Sequence, residues 1–253
     1  MIKNYRMVLE YDGSRYDGWQ KQGNTEQTIQ GKVEHVLERM TGQAVEVHGS
    51  GRTDAGVHAL AQVANFHSDV KMKPEEVKEY LNQYLPEDIR VNTVEFAQER
   101  FHSRLHAQDK TYLYRIETGA KKQVFERKYI YGLSKTLNIK AMEQAASLLI
   151  GEHDFKSFCS NRKMKKSTVR VLNRIEFQQQ GSRVLIRYTG NGFLYNMVRI
   201  LTGTLIEVGL GQRKAEELKE ILEAKDRSAA GFTAPPEGLF LEQVRYKESN
   251  TPQ

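Results

Sequence analysis

The sequence predicts an α/β (α+β) fold made of two similar α/β sandwich domains with largely antiparallel sheets. Several segments alternate polar and apolar residues with the period of a strand, and others carry apolar residues at helical spacing. In the first 105 residues these segments follow the order strand, helix, strand, strand, helix, strand, which is typical of layered domains. The second half of the chain has the same style, although no internal repeat is evident.

The patterns of the first half justify its elements in turn. Residues 5–11 alternate as a half-buried strand does, and residues 29–40 place their apolar side chains on one helical face. Two short alternating segments, 45–48 and 62–67, predict strands on either side of a glycine-rich loop. Pro74 suits the first turn of a helix, and that helix precedes a further alternating strand. The last two elements are predicted at residues 75–85 and 89–96.

The second half is interpreted in the same way, but residues 124–133 show no decisive pattern. Strands are predicted at residues 109–118, 169–177, 183–188 and 239–246, and helices at residues 139–150, 194–208 and 215–225. We place the domains at residues 1–105 and 106–253. Because no Pro- or Ser-rich linker marks this boundary, we expect a tight junction between them.

Composition limits the kind of protein this can be. The 253 residues are 39% hydrophobic and 28% charged, so the chain is expected to fold. The 38 Lys and Arg residues exceed the 32 Asp and Glu residues and give a net charge of +6. This moderate excess is compatible with an anionic partner such as nucleic acid.

The cysteine content and the apolar runs indicate the compartment. Cys159 is the only cysteine, which excludes an internal disulfide and a cysteine-based zinc cluster and fits a reducing cytoplasm. Residues 1–6 lead directly into a strand pattern without the apolar core of a signal peptide. No apolar run approaches the length of a membrane span. We therefore expect a soluble cytoplasmic protein with no membrane partner.

The segment 49–59, with the sequence GSGRTDAGVHA, is the best candidate for chemistry. It has three glycines within eight residues and joins two predicted strands. A loop on a rigid sheet is a common location for functional residues. Asp54 can act as a general base or as a covalent nucleophile, and Arg52 two positions earlier favours its ionised form.

Other interpretations of this loop remain open at this point. Asp54 followed by Ala-Gly is good turn chemistry in its own right. His48, Asp54 and His58 are residue types that bind metals, although no short metal-binding signature is present. His58 can also simply brace the loop. The sequence contains no P-loop, dinucleotide-binding fingerprint or G-x-S-x-G elbow, which argues against those enzyme classes.

Short motifs along nearly the whole chain resemble one known family. They are YDG at 11–13, GWQ at 18–20, GRTDAGVH at 51–58, KTY at 110–112, DFKSF at 154–158, MVR at 197–199 and EGL at 237–239. In this order they resemble the tRNA pseudouridine synthase A family of pseudouridine synthases. The GRTDAGVH motif is specific, and the others are weak one by one but strong together.

The resemblance implies an isomerase that converts uridine to pseudouridine in the anticodon stem-loop of tRNA, at positions 38, 39 and 40 of tRNA numbering. It implies base flipping, no cofactor, no metal and a homodimer whose subunits form tRNA-binding clefts. A base in a helical stem is stacked, and flipping it costs a few kcal/mol. The absence of nucleotide-binding motifs agrees with a reaction that needs no energy input.

The resemblance also assigns site residues. Asp54 corresponds to the catalytic aspartate, and Tyr112, Arg52 and Arg199 correspond to substrate-binding residues. Tyr112 can stack on the flipped uracil, and Arg199 can pair with Asp54 and keep it charged. The pattern alone also allows Tyr112 to be an ordinary core residue.

Two other function classes remain beside this one. The first is a non-catalytic RNA-binding protein, such as an RNA chaperone, that uses the same basic and aromatic loops. The second is a metal-dependent nuclease built on His48, Asp54 and His58. The basic loop at residues 162–166 suits phosphate contacts in any RNA-binding case, although such a charge run is often only solvated.

Overall fold

The computed structural model of the protein describes residues 1–119, 124–161 and 163–247. Within these residues it contains five α-helices and ten β-strands, and most of the strand pairs are antiparallel. This confirms the predicted α+β class. The chain divides into two compact units, one formed by Met1–Gln108 with the segment from Phe240 onward, the other by Asp109–Leu239.

The first unit is a mixed sheet with two helices. Its elements are β1 (Lys3–Tyr11), α1 (Ile29–Thr41), β2 (His48–Gly49), β3 (His58–Ser68), α2 (Pro74–Tyr84), β4 (Ile89–Ala97) and β10 (Leu239–Tyr246). The strand order is β4-β1-β3-β10, and β2 pairs with β3. The pairs of β1 are antiparallel, whereas β10 runs parallel to β3 with Phe240 opposite His58. The apolar faces of β1 and α1 supply much of the core.

The second unit has the same kinds of elements. They are β5 (Ala107–Glu117), β6 (Tyr131–Gly132), α3 (Ile139–Ser147), β7 (Gly151–Asp154), β8 (Val169–Gln180), β9 (Arg183–Gly190), α4 (Met197–Gly209) and α5 (Glu217–Ala224). The strand order is β5-β9-β8-β7, and β6 pairs with β5. Every residue of α4 is buried except Arg199 and Glu207, so α4 is the central helix of this unit.

The predicted elements are present with most of their ends shifted by a few residues, and two of these shifts have identifiable reasons. Residues 45–47 do not join a strand, because Gln30 and Glu34 of α1 bond the backbone of Val47. The helix predicted from residue 194 begins at Met197, because Asn196 adopts a left-handed φ of 60°. The undecided segment 124–133 consists mainly of turns and contains β6.

Two further observations concern the predicted organisation. The compact units divide three residues after the predicted boundary at 105 and 106, and the last strand joins the first unit from Phe240. Of the helices in the described part of the chain, none is long and apolar enough to cross a membrane. Arg162 of the predicted basic loop lies outside the described residues.

Candidate active site

Asp54 lies in the loop that joins β2 to β3. Asp54 is half-buried, and Arg52 in the same loop is exposed. The backbone carbonyl of Asp54 accepts a hydrogen bond from the N–H of Val57 at 3.1 Å, and Gly56 adopts a left-handed φ of 76°. The predicted turn is therefore present. The backbone of Asp54 closes this turn.

The segment 11–19 holds one side of this loop. The hydroxyl groups of Tyr11 and Thr53 are hydrogen-bonded at 2.8 Å, and the N–H of Trp19 donates to the carbonyl of Thr53 at 3.0 Å. Gly18 permits this close approach, because a Cβ at that position would lie 2.5 Å from the Thr53 oxygen. The hydroxyl and the carbonyl of Thr53, the residue directly before Asp54, are thus both fixed by hydrogen bonds.

The sheet holds the other side of the loop. Ser50 donates from its N–H to the carbonyl of Val63 at 2.7 Å and from its hydroxyl to Gln62 Oε1 at 2.6 Å. Gln62 Nε2 in turn donates to the carbonyl of Gly51 at 2.9 Å. Ser50 and Gln62 are fully buried, so these bonds lie away from competing water. Buried and satisfied polar groups of this kind define a single conformation.

His58 braces the start of β3. It is 1% exposed, and its ring stacks on Phe240 with centroids 4.7 Å apart. Its Nδ1 lies 3.0 Å from the N–H of Gly13 and 3.2 Å from Asp12 Oδ1. Nδ1 accepts the hydrogen bond from Gly13 only when Nδ1 carries no proton. In that state Asp12 Oδ1 accepts hydrogen bonds from the N–H and the hydroxyl of Ser14 instead. His58 thus ties the segment after β1 to β3.

The metal alternative finds no support in the side-chain arrangement. Among the described residues, no group of three or more His, Cys, Asp and Glu side chains is placed to hold a metal ion. His48, Asp54 and His58 therefore do not form such a group, although their residue types allowed it.

Tyr112 lies on β5 in the second unit, opposite Tyr188 of β9. It is 6% exposed, and its ring meets the ring of Phe193 edge-on with centroids 5.0 Å apart. Phe193 is itself half-buried and follows β9. The aromatic pair therefore lies at the end of the sheet from which the chain enters α4.

Arg199 occupies the first turn of α4 and is held in one orientation. Its Nε donates to the carbonyl of Ala234 at 2.7 Å, and its Nη1 donates to Asn196 Oδ1 at 2.9 Å. Asn196 also donates from Nδ2 to the Ser160 hydroxyl at 3.0 Å. Two bonds at different nitrogens fix the plane of a guanidinium, so the direction of its remaining N–H groups is also set.

A close crossing places Ala234 where Arg199 can reach it. A Cβ at Gly203 of α4 would lie 1.9 Å from the carbonyl oxygen of Phe232, so only glycine allows this approach. The N–H of Gly231 donates to the Thr204 hydroxyl at 3.0 Å, and the N–H of Ala234 donates to the carbonyl of Arg199 at 3.0 Å. Sequence reasoning did not identify this brace. Its only signal is a glycine within an apolar helix, which marks a close approach without naming the partner.

The four predicted site residues therefore fall in both units. Arg52 and Asp54 share one loop of the first unit, and Tyr112 and Arg199 lie on β5 and α4 of the second. The residues that hold them, chiefly Tyr11, Thr53, Gln62, Asn196 and Ala234, were not predicted as site residues.

Comparisons with known proteins agree over nearly the whole chain. A family model described as tRNA pseudouridine synthase matches residues 7–104 and 145–247. A Bacillus cereus protein named tRNA pseudouridine synthase A 2 is 49% identical over 97% of this chain and 100% of its own length. Proteins named tRNA pseudouridine synthase A from a Bacillus species and tRNA pseudouridine synthase A 1 from Clostridium tetani are 51% and 46% identical, with the same coverage of both chains.

Proposed function

The chain belongs to the tRNA pseudouridine synthase family and is an isomerase that acts on tRNA, and on this premise we propose where it acts and which residues it uses. It converts uridines 38, 39 and 40 of the anticodon stem-loop to pseudouridine, with Asp54 as the nucleophile. Family membership favours this over the RNA chaperone and the metal-dependent nuclease considered above.

The observation that supports Asp54 most directly is the rigidity of its loop. Thr53 is held by Tyr11 and Trp19, and Gly51 is held by Gln62. A nucleophile held near its reactive geometry loses little entropy when it reacts, and this effect can supply several kcal/mol of the barrier. The loop therefore has the property that the proposed role requires.

The proposed reaction balances without an added reagent. The N1–C1′ bond of the uridine breaks and a C5–C1′ bond forms in its place. C5 loses its proton, and N1 ends with one. Because atoms and electrons are only rearranged, we propose that no cofactor takes part.

Arg52 is proposed to act on the RNA while the target base is flipped. Arg52 is exposed and lies two positions before Asp54. A planar guanidinium can hold a phosphate or occupy the place that the base leaves in the stack. Either contact offsets part of the few kcal/mol that flipping costs.

Tyr112 and Arg199 are proposed to complete the site. Tyr112 stacks on the flipped uracil, a contact that contributes about 1–3 kcal/mol per base. Arg199 pairs with Asp54 and keeps it charged. The bonds from Arg199 to Ala234 and Asn196 orient its guanidinium, which has five N–H donors in all.

We also propose that the enzyme is a cytoplasmic homodimer, as the family resemblance implies. Sedimentation of the purified protein tests the dimer directly. A monomer at concentrations that support full activity would contradict it.

The proposal is tested by mapping pseudouridine in tRNA after incubation with the purified protein and no cofactor. We expect pseudouridine at positions 38, 39 and 40 and none elsewhere. Asp54→Asn removes the nucleophile with little change of shape and should abolish turnover while tRNA still binds. Asp69→Asn is the matched control, because Asp69 is an exposed carboxylate of the same unit, and it should retain full activity.

Two results would contradict the proposal. Pseudouridine outside the anticodon arm would contradict the assigned position. Turnover by Asp54→Asn at the rate of Asp69→Asn would contradict the assigned nucleophile.

A further inference from the structure

One segment of the second unit contacts two residues of the proposed site and has no role in the proposed mechanism. It joins β9 to α4 at residues 191–196, and we call it the β9–α4 connection. The ring of Phe193 in this segment meets the ring of Tyr112 edge-on, with centroids 5.0 Å apart. At the end of the segment, Asn196 Oδ1 accepts a hydrogen bond from Arg199 Nη1 at 2.9 Å. RNA held by Tyr112 and Arg199 would therefore lie beside the β9–α4 connection.

Hydrogen bonds fix both ends of the connection. Asn191 donates from its N–H to the carbonyl of Val171 at 3.1 Å, and its Oδ1 accepts the N–H of Val171 at 3.0 Å. The carbonyl of Tyr195 accepts the N–H of Ser160 at 3.1 Å, and Asn196 Nδ2 donates to the Ser160 hydroxyl at 3.0 Å. Because the connection is already ordered in the free protein, a ligand that binds to it pays little ordering entropy.

Tyr195 is an exposed aromatic residue on this fixed backbone. It is 57% exposed, whereas Leu194 and Met197 are 6% and 1% exposed. Within the described part of the chain, the side chain of Tyr195 forms neither a ring contact nor a hydrogen bond. Single exposed aromatic residues are common. What distinguishes Tyr195 is its position directly before Asn196, the residue that orients Arg199.

Arg170 of β8 lies against the same connection. A Cβ at Gly192 would lie 3.5 Å from Cδ and from Nε of Arg170, so the two residues adjoin each other. Arg170 is half-buried, and its Nη1 donates to the carbonyls of Ser167 and Val169 at 2.9 and 2.6 Å. Both bonds use the same nitrogen, so the N–H groups on Nε and Nη2 remain available to a ligand. This edge of a guanidinium matches two oxygens of one phosphate.

The carboxylates of the neighbouring strand do not neutralise Arg170. Arg170 pairs with His153 of β7, and Glu152 and Asp154 are the residues on either side of His153. Successive residues of a strand point to opposite faces, so both carboxylates lie on the other face from Arg170. No carboxylate of the described residues forms an ion pair with Arg170. Burial lowers the pKa of Arg170, and a bound phosphate would supply the opposite charge that favours its charged form.

We propose that the β9–α4 connection holds the tRNA nucleotide that flanks the target uridine, with Tyr195 stacked on its base and Arg170 bonded to its phosphate. This inference rests on the proposed function, because it requires the target uridine to lie beside Tyr112 and Arg199. Gly192 and Tyr195 are three positions apart in sequence, at most about 11 Å, so both contacts fall on one short stretch of RNA. Nucleic acid is favoured over a protein partner because an aromatic face and a guanidinium edge match a base and a phosphate.

The first test is the affinity of the full-length protein for tRNA at constant salt. Tyr195→Ala removes the ring and should weaken binding by between about 5-fold and about 150-fold, the loss expected for one stacked base. Tyr195→Phe keeps the ring and should bind tRNA as the wild type does. Tyr84→Ala is the matched control, because Tyr84 is an exposed tyrosine on α2 of the first unit, and it should leave the affinity unchanged.

The second test is the salt dependence of the same affinity. Arg170→Gln should reduce the slope of log K against log salt by about 1, whereas Arg170→Lys keeps the charge and should keep the slope. A purely structural role of Arg170 would lower the thermal midpoint and leave the slope unchanged. Arg174→Gln is the matched control, because Arg174 is an exposed arginine of the same strand that pairs with Glu176.

A third measurement locates the nucleotide. Anticodon-arm RNA with 4-thiouridine on one or the other side of the target uridine is irradiated in complex with the wild-type protein. Mass spectrometry of the digested complex should find a crosslink from one of these two positions to Tyr195.

Four outcomes would overturn the inference. They are equal tRNA affinities of Tyr195→Ala and Tyr84→Ala, an equal loss of affinity in Tyr195→Phe and Tyr195→Ala, an unchanged salt slope in Arg170→Gln, and no crosslink to Tyr195 from either flanking position. Dissociation of an RNA-free dimer by Tyr195→Ala would also contradict it, because a second copy of the chain would then cover the ring. None of these measurements depends on turnover. Failure of the proposed function is seen separately, as pseudouridine missing from the anticodon arm after incubation with the wild type.

Discussion

The phenolic oxygen of Tyr11 and the hydroxyl oxygen of Thr53 lie 2.8 Å apart within the interior of the first unit. Both residues are at most 5% exposed, and Thr53 directly precedes Asp54. This bond joins the end of β1 to the loop that carries the proposed nucleophile. It makes Tyr11 a positioning residue whose contribution can be measured.

Replacing Tyr11 by Phe should lower kcat by roughly tenfold and leave KM for tRNA nearly unchanged, because loss of the hydroxyl frees the loop and removes no RNA contact. Burial raises the pKa of Tyr11, so its hydroxyl stays protonated and the pH profile of the variant should keep the wild-type shape. Steady-state kinetics across pH provide the measurement.

Tyr5→Phe is the matched control for this variant. Tyr5 is buried on the same strand and donates to the carbonyl of Val70 at 3.2 Å, far from the loop. Tyr5→Phe loses the contacts of its hydroxyl with the carbonyls of Val70 and Met72, and Tyr11→Phe loses those with Thr53 and Gln62. Both variants should therefore be destabilised to a similar extent, by about 1–2 kcal/mol. Equal kcat values for the two would refute the positioning role.

Replacing Gly18 by Ala should displace the loop at its other contact with the segment 11–19, where the carbonyl of Thr53 accepts the N–H of Trp19. Gly18 has a φ of 98°, and an added Cβ would lie 2.5 Å from the carbonyl oxygen of Thr53. The strain should cost about 1–3 kcal/mol of stability, and displacement of Asp54 should lower activity at least tenfold. Gly23→Ala in the same segment meets no atom within 4 Å. Thermal unfolding and turnover of both variants test this, and an active Gly18→Ala enzyme would contradict it.

Replacing Arg199 by Lys should lower kcat by at least tenfold although the charge is kept. An ammonium group cannot reproduce the two bonds to Ala234 and Asn196 that set the plane of the guanidinium. Arg174→Lys is the control, because Arg174 is an exposed arginine of the same unit that pairs with Glu176 on the surface of β8. Single-turnover rates at saturating enzyme would reveal whether the two variants differ.

Replacing Asp154 by Asn should lower the stability of the protein in a pH-dependent way. Burial raises the pKa of Asp154, but hydrogen bonds from Thr168, Lys225 and the N–H of Lys156 outweigh it, and the pKa lies below its ordinary value. A lowered carboxyl pKa stabilises the folded state above the unfolded pKa, and this stability disappears as the pH falls.

Urea unfolding therefore should show Asp154→Asn to be about 1 kcal/mol less stable at neutral pH. The difference should narrow below about pH 4, where the carboxyl group becomes protonated. Asp69→Asn provides the control for a change at an exposed carboxylate. If the unfolding free energies of the wild type and Asp154→Asn differed by the same amount at all pH values, the charge of Asp154 would not contribute to stability.

The affinity for tRNA should fall steeply with salt, and part of this dependence should come from the loop after Cys159. Lys165 and Lys166 are exposed there. If each contacts a phosphate, Lys165→Gln and Lys166→Gln should each reduce the slope of log K against log salt by about 1. Lys219→Gln on α5 changes an exposed lysine elsewhere in the same unit. Equal slopes for all three variants would remove this loop from the RNA interface.

The sequence was sufficient to predict most of the elements and to propose the site residues, but it did not predict β6, β7 or the contacts that hold the loop of Asp54 and the side chain of Arg199. Periodicity located the helices and most strands because their buried faces repeat at regular spacing. It misplaced the strand at 45–48, because the side chains of Gln30 and Glu34 bond the backbone of Val47 and no local pattern reports such a contact.

The same limit applies to the site. A motif identified Arg52 and Asp54 because they are close in sequence. Tyr11 and Thr53 are 42 residues apart, and Arg199 and Ala234 are 35 apart. Pairing across such distances is decided by how the sheet and α4 pack, so these supports became visible only in the folded chain.

The parallel pairing of β10 with β3 has a consequence for synthesis on the ribosome. Phe240 lies opposite His58 and Leu241 opposite Ala59, so this part of the edge of β3 stays unpaired until Phe240 and Leu241 have emerged from the exit tunnel. The second unit, by contrast, is contiguous in sequence from Asp109 to Leu239 and can fold while translation continues. Pairing between such distant segments is slow to form, and a nascent chain stalled before Phe240 would leave β3 exposed to chaperones or to pairing with another nascent chain.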